Sequence, residues 1–238
     1  MKLTVHKMKI FSVDSSALSA SVAILSDGAL IGENFTNVNL THSQTLLPMA
    51  EGLLKNTHTD INDIDVFSVS AGPGSFTGVR IGVSAIKGLA DGLNKPCFAV
   101  STLESIAYPY FDTDYTVCSV MDARCSQVYT AAFQNGKRIT EDSAMLISDL
   151  SRQIKKYEKV IFVGDGADIC YNSLKSSLNN IYIANVQFKF QRASSVAFLT
   201  EKYLKEGAGI VSSEELLPVY LRLPQAEREL KNKKETKK

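Results

Sequence analysis

With 238 residues, 45% of them apolar and 21% charged, and no tryptophan, the chain can bury one large core or two small ones. A formal net charge of +1 excludes a general electrostatic hold on nucleic acid, so such contact would need a local patch or a charged partner. No run approaches the ~18 apolar residues of a membrane span, and the opening MKLTVHKMKIF has no apolar h-region, so a cytoplasmic protein with no signal peptide and no membrane contact is expected. Cys97, Cys118, Cys125 and Cys170 stand far apart without a CxxC pair, which reads as reduced thiols rather than disulfides.

In chain order, residues 8–13 alternate as a strand that ends at Asp14-Ser15-Ser16. The stretch SASVAILSDGALIGENF reads as two strands joined at Asp27-Gly28, a dipeptide suited to the positive φ angles of a tight hairpin. Residues 41–56 carry Leu46, Leu47, Ala50, Leu53 and Leu54 at helical spacing, with Thr41 and Gln44 in capping-box register. Pro48 lacks an amide donor, which predicts a kink there or a helix that begins near it. A strand at 66–70, the loop AGPGSFTGVR, a helix at 77–93, a short strand at 97–100 and a helix from Leu103 follow.

The second half repeats this order. Strands are expected at 115–121, 128–134 and 138–140, the last two around an Asn135-Gly136 turn. A helix at 147–157, a strand at 160–163, a helix at 167–177, a strand at 181–186 and a helix at 194–205 complete it. The result is two tandem βββαβαβα units with a seam at 110–115, an α/β plan of the actin/sugar-kinase/Hsp70-like (ASKHA) type in which ligands sit between the halves. The domains are 1–110 and 111–224, with a charged tail at 225–238, QAERELKNKKETKK, expected to be disordered.

The glycine loop is the main candidate for chemistry. It is neither a Walker A sequence nor GxGxxG, because no lysine follows Gly78 and the glycine spacing is wrong. Gly74, Ser75 and Arg80 at a helix start, with Asp14 after the first strand, could hold an anion or nucleotide. The plainer reading is a tight strand-to-helix turn. In the helix behind it, Val79, Val83, Ile86, Ala90 and Leu93 form an apolar stripe, and Arg80, Ser84, Lys87 and Asp91 a polar side. Gly78, Gly82 and Ala85 line a third, small face. Each glycine inside a helix costs about 1 kcal/mol, so close approach of a neighbour is expected there, from the same domain or from another chain.

Hydrolase readings lack residues. His6, His42 and His58 form no HxxxH pair, Leu46 stands where a second ligand to His42 would fall, and Ser75 is not in a GxSxG elbow. No catalytic or metal constellation is therefore expected. The competing reading is a stand-alone ATP-binding kinase or ATPase using Asp14 and Asp122, without the usual phosphate-loop glycines.

The segments VDSSALSASVAIL, HSQTLLP, SAGPGSFTGVRIGVSAIKGLA, VSTLES, MDARCSQVY and LPVYLR, in this order from Met8 to about Arg222, together closely resemble the bacterial TsaB (YeaZ) family. The resemblance implies a non-catalytic relative of TsaD, the subunit that transfers a threonylcarbamoyl group to the adenosine beside the anticodon of certain tRNAs. It implies pairing with TsaD through the first two helices, recruitment of the ATPase TsaE, tRNA reached only through the complex, and a homodimer when the chain is alone. It implies no cofactor of its own, ATP entering only within the complex. Leu46, Leu47, Leu53, Leu54, Gly78, Gly82 and Ala85 would then form the partner interface. Cys125 departs from the family pattern.

Overall fold

A computed structural model describes residues 7–38 and 40–222. The charged tail from Gln225 lies outside the described residues. Strand β1 (Lys9–Asp14) pairs antiparallel with β2 (Ala20–Ser26), which pairs antiparallel with β3 (Ala29–Thr36). The β2–β3 turn uses Asp27 and Gly28 at φ 47° and 76°, the conformation that the dipeptide predicts. After helix α1 (His42–Asn56), β4 (Val66–Gly72) joins β1 in parallel. After α2 (Phe76–Leu93), β5 (Cys97–Ser101) joins β4 in parallel. The first sheet therefore runs β3-β2-β1-β4-β5.

A short helix, α3 (Thr102–Ala107), leads into the second sheet. There β6 (Thr116–Asp122) pairs antiparallel with β7 (Gln127–Gln134) and parallel with β10 (Val160–Val163), whose other neighbour is β11 (Ile181–Ile183). The expected third strand at 138–140 is instead divided. Strand β8 (Lys137–Arg138) and strand β9 (Ser143–Leu146) pair with opposite ends of β7, leaving residues 139–142 between them. Helices α4 (Ile147–Ile154), α5 (Ala167–Leu174) and α6 (Ala193–Lys205) complete the repeat, the first two ending a turn earlier than their patterns suggest. Helix α1 runs unbroken through Pro48, with Thr41 as its N-cap residue but with no side-chain capping bond.

Burial arranges these elements in five layers. Helices α1 and α2 cover the outer face of the first sheet, where Leu46, Leu53, Val79, Val83 and Ile86 meet Phe11, Phe67 and Val69. Helices α4 and α5 cover the second sheet in the same way. Between the sheets, α3 and α6 fill a common core that includes Leu103, Ile106, Val196, Leu199 and Phe133. Fully burying one such side chain is worth about 1.5–3 kcal/mol, so this middle layer joins the two halves. A polar tie lies beside it: Arg138 of β8 reaches Glu104 of α3 at 3.0 Å, and the Tyr203 hydroxyl of α6 donates to the same carboxylate.

The halves also exchange elements, which corrects a simple division at residue 110. Helix α6 packs on β1 and β2 of the first sheet, and α3 packs on β6 and β7 of the second. Beyond α6 the chain returns along α2 as a strap. Val211 and Cys97 exchange backbone hydrogen bonds of 2.8 and 2.9 Å, and Leu216 is buried in the first half's core. Lys87 donates to the carbonyls of Glu214 and Leu216, and Ser213 to Asp91. The polar side of α2 seen in the sequence is thus the seat of this strap.

Candidate functional site

Two concave features meet at the start of α2. One is a cleft of about 710 Å³ between the halves, bordered by Ser16, Asp122, Asp165, Tyr129 and Arg222. The other is an open groove of about 580 Å³ between α1 and α2, lined by Leu46, Leu47, Phe76, Ile81 and Ala85, with Arg80 also on its wall. His42, Phe76 and Thr77 belong to both.

The loop after β1 decides what the cleft can do. Asp14 is fully buried, and both its carboxylate oxygens are engaged by its own chain. Oδ1 accepts from the Ser16 amide at 2.9 Å and the Ser16 hydroxyl at 2.7 Å, and Oδ2 accepts from the Ser70 hydroxyl. Burial nevertheless raises the Asp14 carboxyl above the ordinary carboxylate range, outweighing those hydrogen bonds and the nearby His42. Asp165 is pushed up to about 6, chiefly by burial, while a 3.0 Å hydrogen bond from Gln191 opposes the shift. Asp14 is therefore an internal brace of the loop rather than a group facing the cleft, and the metal–phosphate role that the ATPase reading gave it has no geometric support. Among the described residues, no group of three or more His, Cys, Asp or Glu side chains is placed to hold a metal ion.

The glycine loop is packed against that braced loop. The Ser16 carbonyl accepts from the Ser75 amide at 2.7 Å, and Ser15 Oγ donates to the Gly78 carbonyl at 2.8 Å. Ser75 is the N-cap of α2 and its hydroxyl accepts from the Gly78 amide at 3.3 Å. Of the expected anion site, the Ser75 and Gly78 amides are thus already committed, Gly74 sits against the Ser16 carbonyl, and Arg80 lies on the groove rather than in the cleft lining.

The same packing corrects the expected interface. A Cβ on Gly78 would lie 2.1 Å from the Ser15 carbonyl oxygen, and one on Gly82 would lie 2.5 Å from Ser15 Oγ. Real Cβ atoms essentially never make such contacts, so Gly78 and Gly82 serve close approach by the β1–β2 loop of their own chain, not by a partner's helix. Leu46 and Leu53 are 2% and 3% exposed and face the sheet, so they too are core residues. Leu47, at 53% exposure, Leu54 and Ala85 remain accessible on the outer side. Leu47 and Ala85 line the α1–α2 groove together with Ile81 and Phe76.

Phe76 and Tyr220 also line the candidate site, and sequence patterns do not single them out. Their rings lie 4.7 Å apart, and the Arg80 guanidinium stands 3.8 Å over Phe76. Tyr220 arrives on the strap, which is fixed by the Val219 amide donating to Ala71 at 2.7 Å and by Arg222 donating to the Ala123 carbonyl across the cleft at 2.7 Å. The signal was present in the LPVYLR segment, but its neighbours lie over a hundred residues away in sequence.

Two sheets of β3-β2-β1-β4-β5 type, with helices exchanged between them and a cleft at their junction, define an actin/sugar-kinase/Hsp70-like protein. Comparison with known proteins narrows this. Residues 36–230 match the family described as "TsaD: tRNA N6-adenosine threonylcarbamoyltransferase". The tRNA threonylcarbamoyladenosine biosynthesis protein TsaB of Bacillus subtilis is 32% identical over 92% of this chain and 96% of its own length. TsaB of Escherichia coli is 36% identical over 53% of this chain and 55% of its own. Among solved structures, YeaZ from Pseudomonas aeruginosa superposes with a TM-score of 0.77 at 25% identity, covering 90% of this chain and all of that one. The chain belongs to the TsaB family, whose members take part in tRNA threonylcarbamoyladenosine biosynthesis.

Proposed function

We infer that this protein is a scaffold and activator subunit for a TsaD-type threonylcarbamoyltransferase, with no catalytic chemistry and no cofactor of its own. The observation that carries the reading is the α1–α2 groove, an accessible apolar surface on the rigid outer layer of the first half. The exposed Leu47 and the half-buried Ile81 and Phe76, backed by a packed core, are what a stable subunit interface requires. The engaged Asp14 and the occupied glycine loop favour this reading over a kinase or ATPase.

In this reading the transferase covers the groove, a TsaE-type ATPase joins the pair, and ATP enters only with the complex. tRNA is reached through the partners, consistent with a net charge of +1. Alone, the same face closes a homodimer. No helix among the described residues is long and apolar enough to cross a membrane, and we place the protein in the cytoplasm with its tRNA substrate complex.

The test is reconstitution of threonylcarbamoyl transfer to tRNA from the organism's TsaD- and TsaE-type proteins, with and without this chain. Modification that requires this chain supports the role. Equal modification in its absence, or magnesium-dependent ATP turnover by the chain alone, would sink it.

A further inference from the structure

The groove between α1 and α2 sets Leu46, Leu47, Ile81 and Ala85 beside the polar Ser43 and Ser84. There Arg80, one turn into α2, is held in an unusual way for an exposed arginine. Its guanidinium carbon lies 3.8 Å from the centroid of the Phe76 ring and 5.6 Å from that of Tyr220. Its Nε donates to the Tyr220 hydroxyl at 2.7 Å. Its two terminal nitrogens have no hydrogen-bond or ion-pair partner among the described residues. Stacking and the Nε bond remove most of the rotamer freedom that an arginine ordinarily loses on binding.

We propose that Arg80 is a preorganised receptor for a single carboxylate on an amphipathic helix of the docking partner, seated with its apolar face in the α1–α2 groove. The inference rests on the partner reading above and adds the chemistry that selects the partner. The two free terminal nitrogens form one edge of the guanidinium fork, which matches the two oxygens of an Asp or Glu side chain. The leucine, isoleucine and phenylalanine side chains of the groove fit a helix that carries that acid at the edge of an apolar stripe. A phosphate fits less well, because the Ser75 and Gly78 amides that would complete its cradle are bonded to Ser16 and Ser75. The strap explains why Tyr220 matters: it brings a ring and a phenol from the far end of the chain to fix the cation. Of the residues named for a weak anion site, Arg80 keeps a role, and the anion is a side chain.

The experiment measures the dissociation constant between the full-length chain and its TsaD-type partner by calorimetry, for wild type, Arg80→Gln and Arg80→Glu, at low and moderate salt. Thermal melting of each variant alone checks the fold, which should hold because Arg80 is exposed. The proposal expects Arg80→Gln to weaken binding about 30-fold or more and to flatten its salt dependence, with Arg80→Glu weaker still. Reversing one acidic residue on the partner's docking helices to arginine should restore binding to Arg80→Glu. If wild type binds while Arg80→Gln binds within about twofold of it, the inference fails and the docking reading stands. It fails in the same way if no acidic residue on the partner rescues Arg80→Glu, or if Arg80→Gln lowers only tRNA retention. If wild type does not bind at all, the partner reading fails and takes this inference with it.

Discussion

Gly82 and Gly88, two of the glycines of α2, face different surroundings and give a direct test of how the helix is used. A Cβ at Gly82 would lie 2.5 Å from Ser15 Oγ and 3.4 Å from Val69 Cγ2, whereas one at Gly88 would meet nothing within 4 Å. Ser15 cannot simply turn away, because it is buried and its hydroxyl is committed to the Gly78 carbonyl. Overpacking of this kind costs about 1–3 kcal/mol, and a lost hydrogen bond adds about 1. The helix propensity gained over glycine returns about 1 kcal/mol. Gly82→Ala should therefore destabilise the chain by about 1–3 kcal/mol, while Gly88→Ala should stabilise it by about 0.5–1 kcal/mol. Urea unfolding followed by circular dichroism separates the two as opposite shifts of midpoint at constant slope. If Gly82→Ala stabilises as Gly88→Ala does, the small face is not packed on the β1–β2 loop, and its use as a partner-facing surface becomes the better account.

Three further predictions follow from the same geometry. Leu46→Ala should lose about 2–5 kcal/mol of stability because it empties a core position, whereas Leu47→Asp should leave the melting temperature nearly unchanged and weaken partner binding by about 30-fold or more; calorimetry and thermal melting on both variants check the pair. Asp165 has a folded-state pKa of about 6 against an ordinary 3.8, so the native state binds more protons than the unfolded one between those values. Stability should thus fall as pH rises from about 4 to about 6, and Asp165→Asn should flatten that fall in urea midpoints measured across the range; an unchanged slope would refute it. Cys125 is exposed and Cys97, Cys118 and Cys170 are buried, with burial pushing the Cys118 thiol up to about 12. A thiol reagent should therefore titrate one group quickly in the native chain and four after denaturation.

Much of the fold could be read from the chain because local chemistry and global topology agree in it. Asp27-Gly28 and Asn135-Gly136 adopt the positive φ angles their types favour, and the α2 stripe of Val79, Val83, Ile86 and Ala90 is the buried face. Strand β9 escaped notice because Ser-Ala-Met-Leu has no strong period and becomes a strand only by pairing with β7. For the expected interface residues, the helical spacing is legible in the sequence but the orientation is not. Leu46, Ala50 and Leu53 are spaced to share one side of α1, and Leu47 and Leu54 sit a step of about 100° round the helix. Grouping all four leucines as one surface merges the buried stripe with the accessible side of α1. Likewise, glycines on one side of a helix announce that something comes close, but only tertiary structure shows that it is the Ser15–Ser16 loop. Arg80 is legible as a cation; its stacking on Phe76 and Tyr220 depends on a strap that no local pattern places.

On the proposed reading, a transferase partner docks on the α1–α2 groove. Size-exclusion chromatography with light scattering on the wild-type chain and on Leu47→Asp, each alone and mixed with the organism's TsaD-type protein, tests it most directly. A one-to-one heterodimer is expected for wild type, and separate, folded proteins for Leu47→Asp. A heterodimer that forms equally well with Leu47→Asp, or no association of the wild-type chain at micromolar concentration with the TsaE-type protein and tRNA also present, would contradict it.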